Sequence, residues 1–171
     1  LMNCRFCQSS LKKEFIDLGV MSPANSYISE KNKKKKQKEY PLRILICEKC
    51  WLIQTEDFAN KTEFFSNDYA YFSSTSQSWL NHAKKYVDKI IKLENLGQDS
   101  FVIEVASNDG YLLKNFKKKK IPCLGIEPTL STAVKAEEIG INCEKIFLTK
   151  HNALKLCEKY RKADLIIGNN V

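Results

Sequence analysis

The sequence predicts an α/β fold in which a small metal-binding module precedes a parallel sheet covered by helices. Three observations support this prediction. Two C-x-x-C pairs, Cys4 with Cys7 and Cys47 with Cys50, lie in the first third of the chain. From about residue 100 onward, short apolar strands alternate with amphipathic helices, which indicates parallel strands joined by right-handed crossovers. The first of these strands ends in a tight turn, E-V-A-S-N-D-G, at residues 104–110.

The composition is that of a folded protein. Of the 171 residues, 43% are hydrophobic and 11% are aromatic, and no apolar run approaches the roughly 20 residues of a membrane span. The start of the chain also lacks the charged and apolar pattern of a secretory leader. We therefore expect a cytoplasmic protein with no membrane partner.

The formal net charge of +8 raises the question of a nucleic-acid partner. Much of the excess lies in two lysine runs, at residues 33–36 and 117–120, in a predicted loop and at the end of a predicted helix. Cations are favourable at a helix C-terminus because they complement its dipole. Arginine, which nucleic-acid binders interleave with aromatic residues, occurs only at positions 5, 43 and 161. Solvated surface is the favoured interpretation, and a polyanion-binding surface is the alternative.

Residues 1–76 form the predicted N-terminal module, with a β-type stretch at Tyr40–Ile46 and an aromatic linker at 64–72. The module has little apolar bulk, and a metal ion would supply the missing stability. Each C-x-x-C turn places two thiolates on one side of a tetrahedral ion, so the two pairs predict a closed, structural zinc site. Free or redox-active thiols are the alternative, although neither pair joins a strand to a helix as a redox motif does.

The second part, residues 77–171, begins with a predicted helix. Ser73 and Ser74 are candidate N-caps, and Gly97 ends the helix. Apolar residues then recur at helical spacing: Trp79, Ala83, Tyr86, Val87, Ile90 and Ile91.

The alternating elements that follow are short. The predicted strands lie at residues 100–105, 121–126, 142–147 and Leu165–Gly168, and the predicted helices at 111–118, 131–139 and 152–160. Three isolated cysteines on their apolar faces are expected to be core thiols: Cys123, Cys143 and Cys157. Because the sequence stops soon after a strand that such a fold places in mid-sheet, we expect residues 77–171 to be the N-terminal half of a larger domain.

The turn at 104–110 is a candidate cofactor site, because it ends one strand and opens the next helix. Gly110 and Asn108 are the residues there that tolerate left-handed backbone. The G-x-G-x-x-G pattern of dinucleotide-binding proteins is absent. Glu127 ends the next strand, where it would bind ribose hydroxyls or cap a helix. Asn169 and Asn170 end the last strand, where they would hold the polar tail of a cofactor or cap a turn.

These stretches resemble the S-adenosylmethionine-dependent sugar C-methyltransferases, in which a zinc-binding module precedes a Rossmann-like (class I) methyltransferase domain. The matching motifs span the chain in order. They are C-R-F-C at 4–7, D-L-G at 17–19, S-P-A-N-S at 22–26, C-E-K-C at 47–50, D-Y-A-Y-F-S-S at 68–74, E-V-A-S-N-D-G-Y-L-L at 104–113, G-I-E-P at 125–128 and A-D-L-I-I-G-N-N-V at 163–171.

The resemblance implies methyl transfer to a carbon next to the ketone of a nucleotide-linked keto-deoxysugar. A base removes a proton from that carbon, and the enolate-like carbon attacks the methyl group. The four paired cysteines would then hold zinc and Glu127 the ribose. The methionine and ribose part would be cradled by the turn: Glu104, Ala106, Ser107, Asn108 and Gly110. Tyr71, in preference to Tyr69, would face the reacting sugar as an acid/base or positioning group. The alternative is that these tyrosines only seal the two domains together.

The resemblance also has a limit. The histidine-containing catalytic segment of the family lies beyond the position that matches Val171, and His82 and His151 are interpreted as ordinary helix-surface and helix-start residues. We therefore expect residues 1–171 alone to lack part of the catalytic machinery. Two other functions stay open at this stage. They are a zinc-ribbon nucleic-acid binder, opposed by the regular α/β half, and an NAD-dependent oxidoreductase, opposed by the missing glycines.

Overall fold

The computed structural model describes residues 2–56, 65, 69–169 and 171. The chain forms two compact units, Leu1–Phe64 and Phe65–Val171. The sequence placed the boundary near residue 76, whereas the contacts group residues 65–76 with the second unit.

The first unit is built from short antiparallel strands. β1 (Met2–Asn3) pairs with β2 (Ser10–Leu11), and β3 (Lys13–Met21), β4 (Tyr40–Ile46) and β5 (Ile53–Thr55) form a three-stranded sheet in that order. A single 3-10 turn, Glu30–Asn32, lies in the connection between β3 and β4. The buried cluster of the described part consists of Leu11, Leu45, Cys4 and Cys47. Because half of this core is thiol, a metal bound there would contribute directly to folding.

The second unit is the predicted α/β domain. Its strands are β6 (Val102–Val105), β7 (Cys123–Ile126), β8 (Cys143–Glu144) and β9 (Leu165–Gly168). They form a parallel sheet in the order β8-β7-β6-β9. Its helices are α1 (Gln77–Leu93), α2 (Leu113–Lys118), α3 (Leu130–Glu138) and α4 (Lys150–Lys159). The fold class is confirmed. The first three strands of this sheet are shorter than the sequence predicted, and β9 has the predicted bounds.

The sheet separates two apolar layers. Alternate residues of β6 point to opposite faces, so Val102 packs with α1 and α2 on one side, and Ile103 packs with Leu156 of α4 on the other. Two predicted core thiols, Cys123 and Cys143, are half-buried against the first layer. The prediction for Cys157 is wrong: its neighbour Leu156 faces the core, and Cys157 faces solvent.

The first helix also starts later than predicted. Ser76 is the N-cap of α1, and its side chain accepts a hydrogen bond from the Trp79 amide. Ser73–Thr75 form a 3-10 turn instead of capping the helix. Side chains of the turn at 104–110 accept the Ser73 and Ser74 amide hydrogens. Among the described helices, none combines the length and the apolar content that a membrane span needs.

Candidate functional site

The four paired cysteines meet at one point of the first unit. The sulfur of Cys4 lies 3.5 Å from that of Cys50, and the sulfur of Cys7 lies 3.5 Å from that of Cys47. All four sulfurs lie within 4.8 Å of one another. Zinc–sulfur bonds of about 2.3 Å in a tetrahedron set the sulfurs about 3.8 Å apart. The thiol quartet therefore fits a zinc ion, and its four ligands leave no coordination position for a substrate.

The two cysteine pairs have the same backbone geometry. In each, the residue after the second cysteine donates its amide hydrogen to the carbonyl of the first: Gln8 to Cys4 at 3.0 Å and Trp51 to Cys47 at 2.8 Å. Both residues adopt left-handed backbone, with φ of 60° and 63°. This tight turn directs both thiols of a pair to the same side. Neither turn has a glycine at that position, so residue type alone did not indicate the left-handed backbone.

Hydrogen bonds tune the thiols unequally. The backbone N–H of Cys7 is the main reason why the pKa of Cys4 falls to about 6, and the Gln54 side chain adds to the effect. The Leu52 backbone N–H favours the Cys50 thiolate, but burial and the neighbouring thiols outweigh it and raise the pKa of Cys50 to about 12. Four thiolates in such a small space repel one another, and a bound cation removes that repulsion.

Gln54 is a residue of this site that the sequence analysis missed. It is buried on β5, its Nε2 lies 3.4 Å from the Cys4 sulfur, and its Oε1 accepts the Arg5 amide hydrogen at 3.0 Å. The side chain thereby holds the first cysteine turn against the sheet. No local pattern indicated this role, because the contact with Cys4 spans 50 residues of sequence.

The turn at residues 104–110 lies at the carboxyl edge of the parallel sheet. It begins with the last two residues of β6, Glu104 and Val105. Three of its residues adopt left-handed backbone: Ala106, Asn108 and Gly110, with φ of 54°, 50° and 75°. The expectation for Asn108 and Gly110 is confirmed. The conformation of Ala106 was not foreseen, because alanine seldom adopts it.

Both glycines near the turn are required by packing. A Cβ on Gly110 would lie 3.2 Å from the Ala136 side chain, and a Cβ on Gly125 would lie 2.4 Å from the Ser107 hydroxyl. Gly110 therefore allows the turn to approach α3, and Gly125 on β7 makes room for Ser107. The predicted close approach of a cofactor to Gly110 stays a prediction; the side on which a Cβ would lie packs against Ala136 of α3.

Glu127 organises the turn from the end of β7. It is buried, and its two carboxylate oxygens accept the amide hydrogens of Asn108 and Thr129, each at 2.9 Å. Each oxygen keeps a second lone pair for a ligand hydroxyl. The capping and ribose-binding interpretations are thus compatible, and the ribose role stays a prediction.

Glu104 is the most unusual group of the site. It lies on β6, it is fully buried, and neither carboxylate oxygen has a hydrogen-bond partner among the described residues. The only other buried oxygens without a partner in the described part belong to Ser107 and Asp109 of the same turn. Burial, and then the charges of Asp109 and Glu127, raise the pKa of Glu104 well above its usual 4.5. Unpaired polar atoms are costly in a protein interior, so their clustering indicates a site built for a polar ligand.

An aromatic row connects this turn to a cavity. The ring of Tyr111 stacks on Trp79 at 5.9 Å, and Trp79 stacks on His82 at 5.2 Å. Asn169, at the end of β9, points its Nδ2 to the Tyr111 hydroxyl at 3.4 Å. Burial and the charge of Glu104 raise the pKa of Tyr111 to about 12, so this phenol stays protonated. Asn170, the second predicted amide, lies outside the described residues.

The two candidate tyrosines occupy different surroundings. Tyr71 is half-exposed and lines a cavity of about 470 Å³ with Trp79 and His82, together with four hydroxyl side chains between residues 73 and 78. The ring of Tyr69 packs 5.5 Å from that of Phe65. The preference for Tyr71 therefore agrees with its surroundings, although its catalytic role stays a prediction. His82 was interpreted as an ordinary surface residue, yet it lines the same cavity.

Comparisons with known proteins agree with this division of the chain. Residues 4–65, which include all four paired cysteines, match a family model described as "Putative zinc binding domain". Over 165 residues, or 96% of its length, the chain is 22% identical to the C-methyltransferase NovU of Streptomyces niveus. The matched region covers 39% of that relative. The N-terminal unit thus has both the ligands and the sequence of a zinc-binding module, and the similarity of the whole chain supports a methyltransferase relationship.

Proposed function

We propose that this chain binds S-adenosylmethionine through the turn at 104–110, as part of an enzyme that methylates a carbon next to the ketone of a nucleotide-linked deoxysugar. One observation carries the proposal. Glu104, a fully buried carboxylate without a hydrogen-bond partner in the described part of the chain, lies at the carboxyl edge of the first strand of a parallel α/β sheet. The similarity to a C-methyltransferase supports the reaction class, and the sugar rests on the motif resemblance.

The charge of the site favours a cationic ligand. Glu104, Asp109 and Glu127 bring three carboxyl groups to one turn, and after burial the charges of Asp109 and Glu127 raise the pKa of Glu104. S-adenosylmethionine carries an ammonium and a sulfonium, which such a site would attract. The pyrophosphate of NAD would be repelled, and the glycines that bring backbone amides to it are missing. This electrostatic argument supports the methyl donor over the dinucleotide.

The remaining groups suit the parts of the donor. Glu104 and Ser107 would hold its amino-acid end, with the backbone of Ala106 and Gly110 beside them. Glu127 would accept hydrogen bonds from the ribose hydroxyls through its free lone pairs. Asn169, hydrogen-bonded to Tyr111, would close the edge of the site at β9. When bound, the donor supplies an electrophilic methyl group for transfer to carbon.

The neighbouring cavity suits a sugar ring. Its lining combines the faces of Tyr71, Trp79 and His82 with hydroxyl groups, and none of the described residues that line it is a lysine, an arginine or a carboxylate. Aromatic faces pack on the apolar side of a sugar ring, and hydroxyls and the imidazole exchange hydrogen bonds with its polar edge. Tyr71 would donate a hydrogen bond to the ketone oxygen and stabilise the negative charge that develops there as the neighbouring carbon loses a proton.

The zinc-binding module has a structural role in this proposal, because four thiolates fill the coordination sphere. Its integrity is a condition for a correctly folded first unit, and no step of the methyl transfer involves the metal.

Calorimetry with the 171-residue chain tests the proposal. We expect saturable binding of S-adenosylhomocysteine, which retains the ammonium, and no binding of NAD at the same concentrations. Since free Glu104 retains its proton above its usual pKa, binding near about pH 5.5 should release a proton, seen as a dependence of the heat on the buffer. Glu104→Gln should weaken binding about 10- to 100-fold, the worth of a charged hydrogen bond. Glu158→Gln, an exposed site on α4, is the matched control.

Saturable binding of NAD without binding of S-adenosylhomocysteine would overturn the proposal. Salt-sensitive binding of any DNA or RNA duplex by the same sample, with no nucleoside binding, would favour the nucleic-acid alternative. For the acceptor, methyl transfer from labelled S-adenosylmethionine to a nucleotide-linked ketosugar should place the label on a carbon next to the ketone. Label on oxygen would contradict the proposed reaction.

A further inference from the structure

The structure shows a direct mechanical link between the turn at 104–110 and the segment that carries Tyr71. We call residues 69–76 the strap. Asn108 uses both ends of its side-chain amide on the strap: Oδ1 accepts the Ser73 amide hydrogen at 2.9 Å, and Nδ2 donates to the Tyr71 carbonyl at 3.0 Å. The adjacent Asp109 accepts the Ser74 amide hydrogen at 3.0 Å. Three hydrogen bonds from two neighbouring side chains thus hold three strap residues, Tyr71, Ser73 and Ser74.

The hydrogen bond between Ser73 and Asn108 is buried, and the other two are partly buried. Asn108 is 9% exposed, Asp109 is 5% exposed and Ser73 is 8% exposed. A buried donor or acceptor that loses its partner is left with the full free-energy cost of desolvation. Moving the strap away would break these hydrogen bonds and incur that cost. At its other end, the Tyr69 carbonyl accepts a hydrogen bond from the Ser131 hydroxyl of α3 at 2.9 Å.

The strap forms a partition between two cavities. Tyr71 and Ser73 line the hydroxyl-rich cavity described above. Phe72 and Ser74 line a groove of about 770 Å³ on the other side, which is bordered by lysines of α2 and α3. Strap residues 71–74 therefore line the two cavities in alternation, and Thr75 lines both. A displaced strap would remove Tyr71 and the serine hydroxyls from the first cavity together.

The backbone of Asn108 completes the link. Its amide hydrogen is donated to Glu127, and its side chain holds the strap, so one residue connects the predicted ribose-binding carboxylate to the candidate catalytic tyrosine. Its φ of 50° explains why asparagine suits the position: it tolerates left-handed backbone, as glycine does, and it also has a side chain that can reach the strap.

We propose that Asn108 and Asp109 are positioning residues that couple occupancy of the methyl-donor turn to the placement of Tyr71. This proposal rests on the proposed function. A ligand held by Glu127 and Glu104 would stabilise the turn, and the stabilised turn would hold the strap in place. The acceptor cavity is then fully formed when the donor site is occupied, which favours binding of the donor before the acceptor.

Hydrogen exchange of the 171-residue chain, followed by mass spectrometry on peptides that cover 69–76, tests the coupling. Asn108→Gly keeps the left-handed backbone and removes the side chain. We expect strap amides of this variant to exchange about tenfold faster, since a hydrogen bond of ordinary strength is lost. Asn95→Gly is the matched control, because Asn95 is exposed after α1 and has the same φ of 50°. It should leave exchange of the strap unchanged.

The ligand provides the decisive comparison. In the unaltered chain, S-adenosylhomocysteine should slow exchange of the strap. In Asn108→Gly, at a ligand concentration that saturates the variant, it should slow exchange of the turn at 104–110 without protecting the strap. Protection of equal size in both proteins would overturn the coupling. So would unaltered strap exchange in ligand-free Asn108→Gly.

Two further comparisons keep the outcomes separate. Asn108→Asp retains the acceptor for Ser73 and loses the donor to Tyr71, so its strap should exchange at an intermediate rate even if the glycine variant unfolds. If the unaltered chain binds no S-adenosylhomocysteine, the proposed function fails. In that case faster strap exchange in ligand-free Asn108→Gly would support the link itself, and the coupling to the donor would be refuted.

Discussion

Replacing Glu104 by glutamine should make the ligand-free protein more stable than the unaltered protein, by a margin that grows as the pH rises. The same change should weaken ligand binding at the candidate site. Glu104 is fully buried, and neither of its oxygens has a hydrogen-bond partner among the described residues. Burial and two neighbouring carboxylates raise its pKa in the folded chain well above 4.5. Ionising it in place is costly, and glutamine removes that cost.

The sign follows from proton binding. Above about pH 4.5 the unfolded chain loses the Glu104 proton, while the folded chain keeps it until the raised pKa is reached. The folded state then binds more protons, so this group lowers the free energy of unfolding by about 1.4 kcal/mol for each pH unit in that window. Its favourable contribution is complete below the unfolded pKa. Glu104→Gln abolishes this slope, and the stability difference between the two proteins should therefore grow by the same amount per unit.

Urea unfolding between about pH 4.5 and about pH 7 measures the difference. The chain has two tryptophans, one in each unit, and Trp51→Phe leaves Trp79 as the reporter of the second unit. Glu127→Gln is the matched control. Glu127 accepts two buried amide hydrogens, so losing one acceptor should destabilise the protein by about 1–3 kcal/mol. A Glu104→Gln variant that is less stable at every pH, or a difference that does not change with pH, would refute the reasoning.

Three further predictions concern the zinc-binding module and the packing of the turn. Metal analysis should find one zinc per chain, and Cys47→Ser should abolish it while Cys157→Ser, at an exposed thiol outside the quartet, leaves it intact. Gln54→Ala should lower zinc affinity about 10- to 100-fold in a chelator competition, since it removes the hydrogen bond to a ligand sulfur; unchanged affinity would show that the contact does not orient that ligand. Gly125→Ala should cost about 1–3 kcal/mol in urea unfolding because its Cβ would lie 2.4 Å from a serine hydroxyl, whereas Gly97→Ala, with open space around it, should have little effect.

The metal site was predictable because its information is local. Each C-x-x-C turn fixes two thiols within a few residues, and the identity of the ligands follows from residue type alone. Gln54 could not be predicted in the same way, because its contact with Cys4 depends on how β5 packs beside the first cysteine turn. Glutamine at that position carries no signal until the sheet is formed.

The helix starts illustrate a second limit. Ser73 and Ser74 have the residue type and position of N-caps, and the prediction from them was wrong. Their amide hydrogens are accepted by side chains 35 residues further along the chain, and Ser76 caps α1 instead. A local preference was overridden by a tertiary contact of comparable strength.

The sequence by itself determined the order of the elements, the α/β class, the cysteine quartet and the location of the turn that ends β6. These depend on periodicity and on spacing between near neighbours. Tertiary structure decided which way the polar side chains face. It left Glu104 without a partner, directed Asn108 to the strap and placed His82 beside Tyr71. Such orientations depend on contacts between residues far apart in the chain, and no local pattern encodes them.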